Sequence, residues 1–507
     1  MTDPLPQTTN RKRWLILSHA FNMDGRAASQ TITDKIPYFL EAGVKLIVFS
    51  SITGIKDNRF SHYQFLAWGP AAFRFDFRHW FANQFGRGVL YKFVTTSISI
   101  LLAPFIAIEK TLLGFSSQWS WAMPAYLHGR TLIQNKKVDL VYSTAGAWSA
   151  QLAALWLKKS TGVFWMAEIH DPFVIRNSPD DLGFATPRNR DARFRKWLEA
   201  QICKHADVAW WFTDGAVHYA KLRNPNLNEP GNAKAVMVIP GAEPPGAAEE
   251  VSKLTALAAK QTEQKQAQEQ ERSKAQKQAQ EQERSKAQEQ AQEQKQSVKE
   301  AQPHRYDTHL VISHFGSLAK NRSISTILNR LPSLFQKYPE ARSAVQVHVY
   351  GAKVDSLTAD AITQYGFADL VIEHGRIEKD PVTGKSGRER IAECMQAADM
   401  LLLLHGDDPW CAEYIPSKMY EYFWMGRPIW AITHLNPQMN ALLTERNAYI
   451  STADDAVSID QTLERIWLDW QQKNLMPLTF KPIGVDQAAQ RILQFLECTQ
   501  TVKAQRT

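Results

Sequence analysis

Cysteine is scarce in this chain of 507 residues. The four present, Cys203, Cys394, Cys411 and Cys498, are widely spaced with no C-x-x-C pair, so neither a zinc site nor a disulfide framework is indicated, and a reducing cytoplasm suits the composition. A signal-peptide core is also missing. After Arg11-Lys12-Arg13 the apolar run Trp14 to Leu17 is far too short for one, so export is not expected. From Ala258 to Ser297 there is no Leu, Ile, Val or aromatic residue, which removes the seam a coiled coil would need. That stretch repeats Gln264 to Ala275 unchanged as Gln276 to Ala287, and a twelve-residue unit of Gln, Glu, Lys, Arg, Ser and Ala buries nothing. It reads as an inert, solvated, partly helical expansion, with a partner-binding arm as the alternative.

Elsewhere the chain is rich in core material, with 44% hydrophobic residues and 16 Trp, and its length suits two or three domains. The net charge of +8 favours an anionic partner: nucleic acid, a phosphorylated substrate or an anionic membrane surface. A nucleic-acid partner is not expected, because the basic residues of the repeat are offset by Glu rather than gathered in a stripe.

Short apolar strands alternate with helices. Trp14 to Leu17, Val44 to Ser50, Val138 to Ser143, Val163 to Glu168, Asp207 to Phe212 and Val236 to Ile239 form one series, with a helix expected from Ala27 to Gly43. A second series starts at His309 to Phe315, continues through a helix near Ile324 to Lys337, and has strands at 345–350, 370–372, 400–404 and 428–432. The expected fold class is α/β, with two tandem Rossmann-like doubly wound domains facing a cleft. The boundaries are 12–245 for the first domain, 250–303 for the low-complexity insertion, 306–480 for the second domain, and 484–497 for a helix returning to the first.

Residues 66–130 stand apart. Phe73 to Phe81 alternates aromatics with cations, and Val89 to Ile108 is uncharged apart from Lys92, which suits insertion into one face of a bilayer. A buried core helix and a true span are the alternatives. Thr95, Thr96, Ser97, Ser99 and Pro104 lower the hydrophobicity that spanning needs.

The most informative segment runs from Glu413 to Pro428, with carboxylates at 413 and 421 around Pro416 and a closing Gly-Arg-Pro. A helix opened by Pro416 would aim the amides of Ser417, Lys418 and Met419 at an anion, and Glu421 could accept two hydroxyl hydrogen bonds from a ribose. The bland alternative is an amphipathic helix with a polar start. The segment resembles the E-x7-E region of family-4 glycosyltransferases, in a variant P-S-K-x-Y-E-Y. The turn Gly316-Ser-Leu-Ala-Lys-Asn-Arg322 resembles a form of that family's diphosphate loop.

The resemblance implies a GT-B enzyme that transfers a sugar from a nucleotide-diphosphate-sugar, with retention, to a lipid-linked or glycan acceptor. It implies no metal or other cofactor, and no D-x-D pair in strand context is present. Gly316, Lys320, Arg322, Ser417, Lys418 and Glu421 are the donor candidates. The commoner family loop has Arg directly after the glycine, where Ser317 stands, and Lys418 is the candidate replacement. Glu413 would face the sugar or phosphate. His170 and Asp171, at a strand end, are candidates to hold the sugar or acceptor, with a turn-capping role as the alternative; Gly25 and Arg26 are weaker acceptor-side candidates. Ile239 to Glu243 resembles the family's interdomain strand end without its usual Asn. The expected location is cytoplasmic, peripheral on the inner face of the membrane. The competing reading is a membrane-associated scaffold with a degenerate transferase fold.

Overall fold

Trp14, Leu15, Ile16 and Leu17 are apolar at every position because strand β1 (Arg13–Leu17) is covered on both faces. Leu15 and Leu17 enter one core while Trp14 and Ile16 enter another, as the two-residue period of a strand requires. The same split recurs in β4 (Leu140–Ser143), β5 (Phe164–Ile169) and β6 (Val208–Trp211). The computed structural model describes residues 13–23, 26–114, 118–144, 146–176, 189–246, 308–351, 353–378, 380 and 382–504, with side chains to Leu496. The repeats, the whole 250–303 insertion and Gly25 lie outside the described residues.

With β2 (Lys45–Ser51), β3 (Ser61–Phe65) and β7 (Lys234–Met237), the first sheet has the order β3-β2-β1-β4-β5-β6-β7, parallel throughout. The second sheet contains β8 (Leu310–Gly316), β9 (Val345–Gly351), β10 (Val371–Gly375), β11 (Met400–Leu404), β12 (Ile429–Thr433) and β13 (Tyr449–Thr452), in the parallel order β10-β9-β8-β11-β12-β13. The chain therefore consists of two doubly wound domains. The final helix, Val485–Ala504, leaves the second and buries Ala488, Ala489, Ile492 and Leu496 against Trp14 and Ile16 of the first.

Two expected helices are broken. Ala27–Thr33 and Ile36–Glu41 replace one helix, and Ser325–Leu328 and Leu331–Lys337 replace another. Pro37 and Pro332 explain the breaks, since neither has an N–H for the hydrogen bond a continuous helix would make there. The first break has a use: it leaves Asp34 and Lys35 between helices, free to point into the molecule. Strand β3 was not expected at all; its exposed edge carries Ser, Tyr and Gln rather than a continuous apolar run.

The 66–130 insertion contains helices Pro70–Phe85 and Val89–Leu113, in contact and joined by Gly86-Arg87-Gly88. Their base is anchored: Ser120 Oγ accepts from Gly69 N (2.7 Å), while Glu109 accepts from Ala71 N (3.0 Å) and Trp119 Nε1 (2.8 Å). A carboxylate on first-turn amides also suits the helix dipole. The Val89–Leu113 helix is not a core helix, because only Thr95 and Glu109 on it are buried. Phe93, Ile100 and Leu101 are 71%, 67% and 70% exposed. It is the one described helix long and apolar enough to cross a membrane by length and composition.

Candidate functional site

On a doubly wound sheet the crevice lies where the winding reverses, here beyond β8 and β11 in the second domain. Gly316 ends β8 with φ +144°, a value glycine takes readily and other residues do not. Ala319 and Arg322 then exchange backbone hydrogen bonds of 3.1 and 2.8 Å, which puts Lys320 and Asn321 at the tip of a tight turn. Asn321 ties the turn to the loop after β11, its carbonyl accepting from Asp407 N at 3.2 Å and its amide donating to Asp408. Lys320 is exposed and Arg322 half-buried. Arg322 Nε and the neighbouring His314 Nε2 are shielded from solvent without a hydrogen-bond partner in the described residues.

Burial, followed by the charges of Arg322 and Lys418, lowers His314 to about 4 despite its contact with Leu402 O. Burial also lowers His405 to about 4, with His434 and Arg322 contributing. Both imidazoles are therefore neutral at neutral pH. The fixed charges around them are the guanidinium of Arg322 and the ammonium of Lys418, a pair suited to a diphosphate.

The helix opposite spans Lys418–Met425, two residues later than a start at Pro416. The reason is local: Met419 N donates to Pro416 O at 3.0 Å, closing a turn ahead of the helix. Met419's amide is thereby occupied, whereas those of Ser417 and Lys418 have no partner in the described residues. Glu421, in the first turn, accepts from Lys418 Nζ at 2.7 Å. Arg388 lies within the field of Glu421 and Glu243 and pairs across the cleft with Asp34 at 3.2 Å. Burial pushes Asp34 and Glu243 upward, with Arg388 opposing, and Glu243 accepts from Tyr38 OH at 3.0 Å.

Glu413 is placed elsewhere. Its carboxylate is 1% exposed and lies in the contact between domains, with Arg176 Nε at 3.0 Å and Arg223 at 3.1 and 3.3 Å. Arg223 also binds both oxygens of Glu199, at 2.8 and 2.9 Å. Burial raises Glu413 against the pull of the two guanidiniums. Nearby, Gly215 lies so close to the second domain that a Cβ would fall 1.9 Å from Ala412 O. In this arrangement Glu413 joins the domains and presents neither oxygen to a sugar.

His170 follows β5 and stacks on Phe212 at 4.8 Å, while Asp171 is exposed. His170 Nε2 lies 2.5 Å from Glu168 Oε1; Glu168 also accepts from Lys35 Nζ at 2.6 Å and from Tyr142 OH. Burial raises Glu168, but Lys35 and His170 outweigh it and hold the carboxylate at about 2. A folded value below the ordinary 4.5 contributes stability that is complete above about 4.5 and is lost as pH falls toward 2, on the order of 3 kcal/mol. Urea midpoints of the wild type measured across that window are expected to fall more steeply than those of Glu168→Gln. Parallel curves would remove Glu168 from the acid response.

Arg26 is exposed at the head of the Ala27–Thr33 helix. Sequence reasoning missed Asp34, Lys35, Glu168, Arg388 and the Arg176–Arg223 pair. Two had a legible signal. Glu168 and His170 are two apart and so share a face at the strand end, and the S-x-x-E capping box of Ser386 and Glu389 encloses Arg388.

No protein-family model matches the chain, and no curated protein matches it in sequence. Among solved structures it is similar to an α,α-trehalose-phosphate synthase (UDP-forming) from Burkholderia vietnamiensis, at 12% identity and TM-score 0.54, over 96% of this chain and 99% of that one. It is likewise similar to an α,α-trehalose 6-phosphate synthase from Burkholderia multivorans, at 10% identity and TM-score 0.53, over 97% and 98%. A trehalose-6-phosphate synthase studied for glycosyl transfer with retention matches at 12% identity and TM-score 0.53, over 96% and 99%. At these identities the likeness is one of fold: the chain has the two-domain GT-B architecture of glycosyltransferases, with residues 247–307 outside the described part.

Proposed function

We propose that this protein transfers a sugar from a nucleotide-diphosphate-sugar to a lipid-linked or cell-surface glycan precursor at the inner face of the membrane. The observation that carries this reading is that two cations, Arg322 and Lys418, both act on the buried His314, with Lys418 also bound to Glu421 at 2.7 Å and the amides of Ser417 and Lys418 without a partner in the described residues. Breaking a glycosyl–phosphate bond gathers negative charge on the leaving diphosphate. Fixed cations and amides stabilise that charge more in the transition state than before it. Gly316 and Lys320 border the diphosphate in this reading, and Glu421 holds the ribose with the oxygen not given to Lys418.

His170, held by Glu168, and the exposed Asp171 take the acceptor side together with Gly25 and Arg26. Glu413 acts through the domain contact. Retention is drawn from the synthase of the same fold, and no metal is assigned to the reaction.

Thermal stabilisation by UDP, GDP, ADP, TDP and CMP tests the reading, because a ligand that binds only the folded protein raises its melting temperature. One diphosphate is expected to stabilise. No response to any of the five would move the weight to the scaffold. Glu421→Ala is expected to weaken the effective nucleotide by about 5- to 150-fold, the value of one or two lost hydrogen bonds at roughly 1–3 kcal/mol. Unchanged affinity by calorimetry would remove Glu421 from the ribose.

A further inference from the structure

We propose that the groove between the Pro70–Phe85 and Val89–Leu113 helices takes the phosphate or diphosphate of a lipid-borne acceptor, with its hydrocarbon chain along the exposed stripe of the second helix. This rests on the glycosyl-transfer reading and supplies the acceptor's chemistry. Two cavities of about 310 and 360 Å³ lie along the hairpin and share Arg78. One is walled by Arg74, Arg78, His79 and Arg87, the other by Arg78 with Thr95, Thr96 and Ser99, and neither lining contains a carboxylate.

Arg74 and Arg78 have no ion pair in the described residues, and Arg87 has only an exposed one, with Glu378 of the second domain at 3.0 Å. The acid of the same helix, Asp76, is fully buried against His19 Nε2 at 3.1 Å and does not neutralise them. Burial first, then Arg26, Arg87 and Arg78, lowers His79, so Arg26 belongs to the same positive field. Guanidinium forks suit phosphate oxygens; the hydroxyls of Thr95 and Ser99 donate to the helix carbonyls of Tyr91 and Thr95 at 2.7 and 2.6 Å, which leaves Thr96 as the hydroxyl donor on that wall.

The groove opens onto apolar surface. Ile100 lines it and also belongs to the exposed stripe of Val89, Phe93, Leu101, Phe105 and Ile108. A contiguous exposed apolar stripe marks an interaction surface, and the exposed Lys92 and Lys110 toward its ends suit a helix lying in a bilayer interface. A soluble phosphate would satisfy the cations and leave the stripe in water. A phosphorylated lipid covers both, and the Arg87–Glu378 contact sets its headgroup beside the second domain.

Vesicle sedimentation of the full chain tests this, using phosphatidylcholine alone, with phosphatidic acid, and with phosphatidylglycerol at equal surface charge. The expected result is binding to all three, about tenfold tighter with phosphatidic acid, whose phosphomonoester is open to a guanidinium fork. Arg74→Gln with Arg78→Gln should lose that preference and keep the phosphatidylcholine binding. Phe93→Ser with Ile100→Ser and Leu101→Ser should weaken all three. In the unmodified chain, inorganic pyrophosphate should compete away the preference alone, a measurement that needs no variant to fold. No preference for phosphatidic acid, a preference that survives the double substitution, or one indifferent to pyrophosphate would each overturn the groove. Phosphate-lipid preference without any nucleotide response would keep the groove and overturn the transfer reading; a nucleotide response without the preference would do the reverse.

Discussion

Arg322→Ala is expected to lower sugar transfer by about 10²- to 10³-fold, the usual cost of removing one preorganised group from developing negative charge. The size follows from the surroundings. Arg322 sits at the base of a turn pinned by the Ala319 bridge and by Asn321, so it needs little reorganisation to meet a diphosphate. Its Nε has no partner in the described residues, and the imidazoles beside it, lowered to about 4, add no competing charge. Truncation therefore orphans no protein group shown to depend on Nε, and stability should change by about 0.5 kcal/mol or less. Arg322→Lys should recover only part of the rate, because an ammonium keeps the charge without the planar fork. The measurement is release of nucleoside diphosphate from the donor identified by thermal stabilisation, alongside a urea midpoint. Wild-type turnover in Arg322→Ala would take this residue out of the chemistry, while a collapsed midpoint would make its role structural.

Glu413→Ala is expected to cost about 3–5 kcal/mol of stability, the penalty for leaving buried charge uncompensated. Arg176 and Arg223, whose side chains are 1% and 2% exposed at this contact, would lose their shared partner. Arg223 keeps Glu199, and Arg176 keeps contacts that include Pro409 O and the face of Tyr219, at 3.7 Å, neither of which carries a negative charge. The damage should fall on the domain contact, where Thr213 Oγ1 donates to Glu413 O at 2.8 Å and Gly215 meets Ala412. A larger radius of gyration in solution scattering should therefore accompany the lower urea midpoint. Glu413→Gln, which preserves shape and can still accept, should lose less. A midpoint within about 0.5 kcal/mol of wild type would mean that the contact does not depend on this carboxylate.

Much of the fold was readable because a parallel strand covered on both faces leaves an unbroken apolar run. Met400 to Leu404 and Trp14 to Leu17 could hardly be anything else. Strand β3 escaped because an edge strand needs no such run. The broken helices were also in the sequence, in Pro37 and Pro332, but a helical period running across a proline hides the interruption.

The candidate site residues are local to two short stretches. Gly316 and Arg322 belong to one turn, and Lys418 and Glu421 to the first turn of a helix that begins two residues later than Pro416 suggested. Glu413 and Glu421 look alike as the two ends of one eight-residue spacing, yet one is buried between arginines and the other stands beside Lys418. The partner that separates them, Arg223, is 190 positions from Glu413. Lys35 and Glu168 are 133 apart, and Asp34 and Arg388 are 354 apart. Most buried strands, the tight turn after Gly316 and the apolar run of Val89 to Ile108 could be read from the chain alone, because each depends on neighbours within a few residues. Which charges are buried, paired or left open was decided only by the tertiary structure, because desolvation and pairing arise when elements far apart in the chain close on one another.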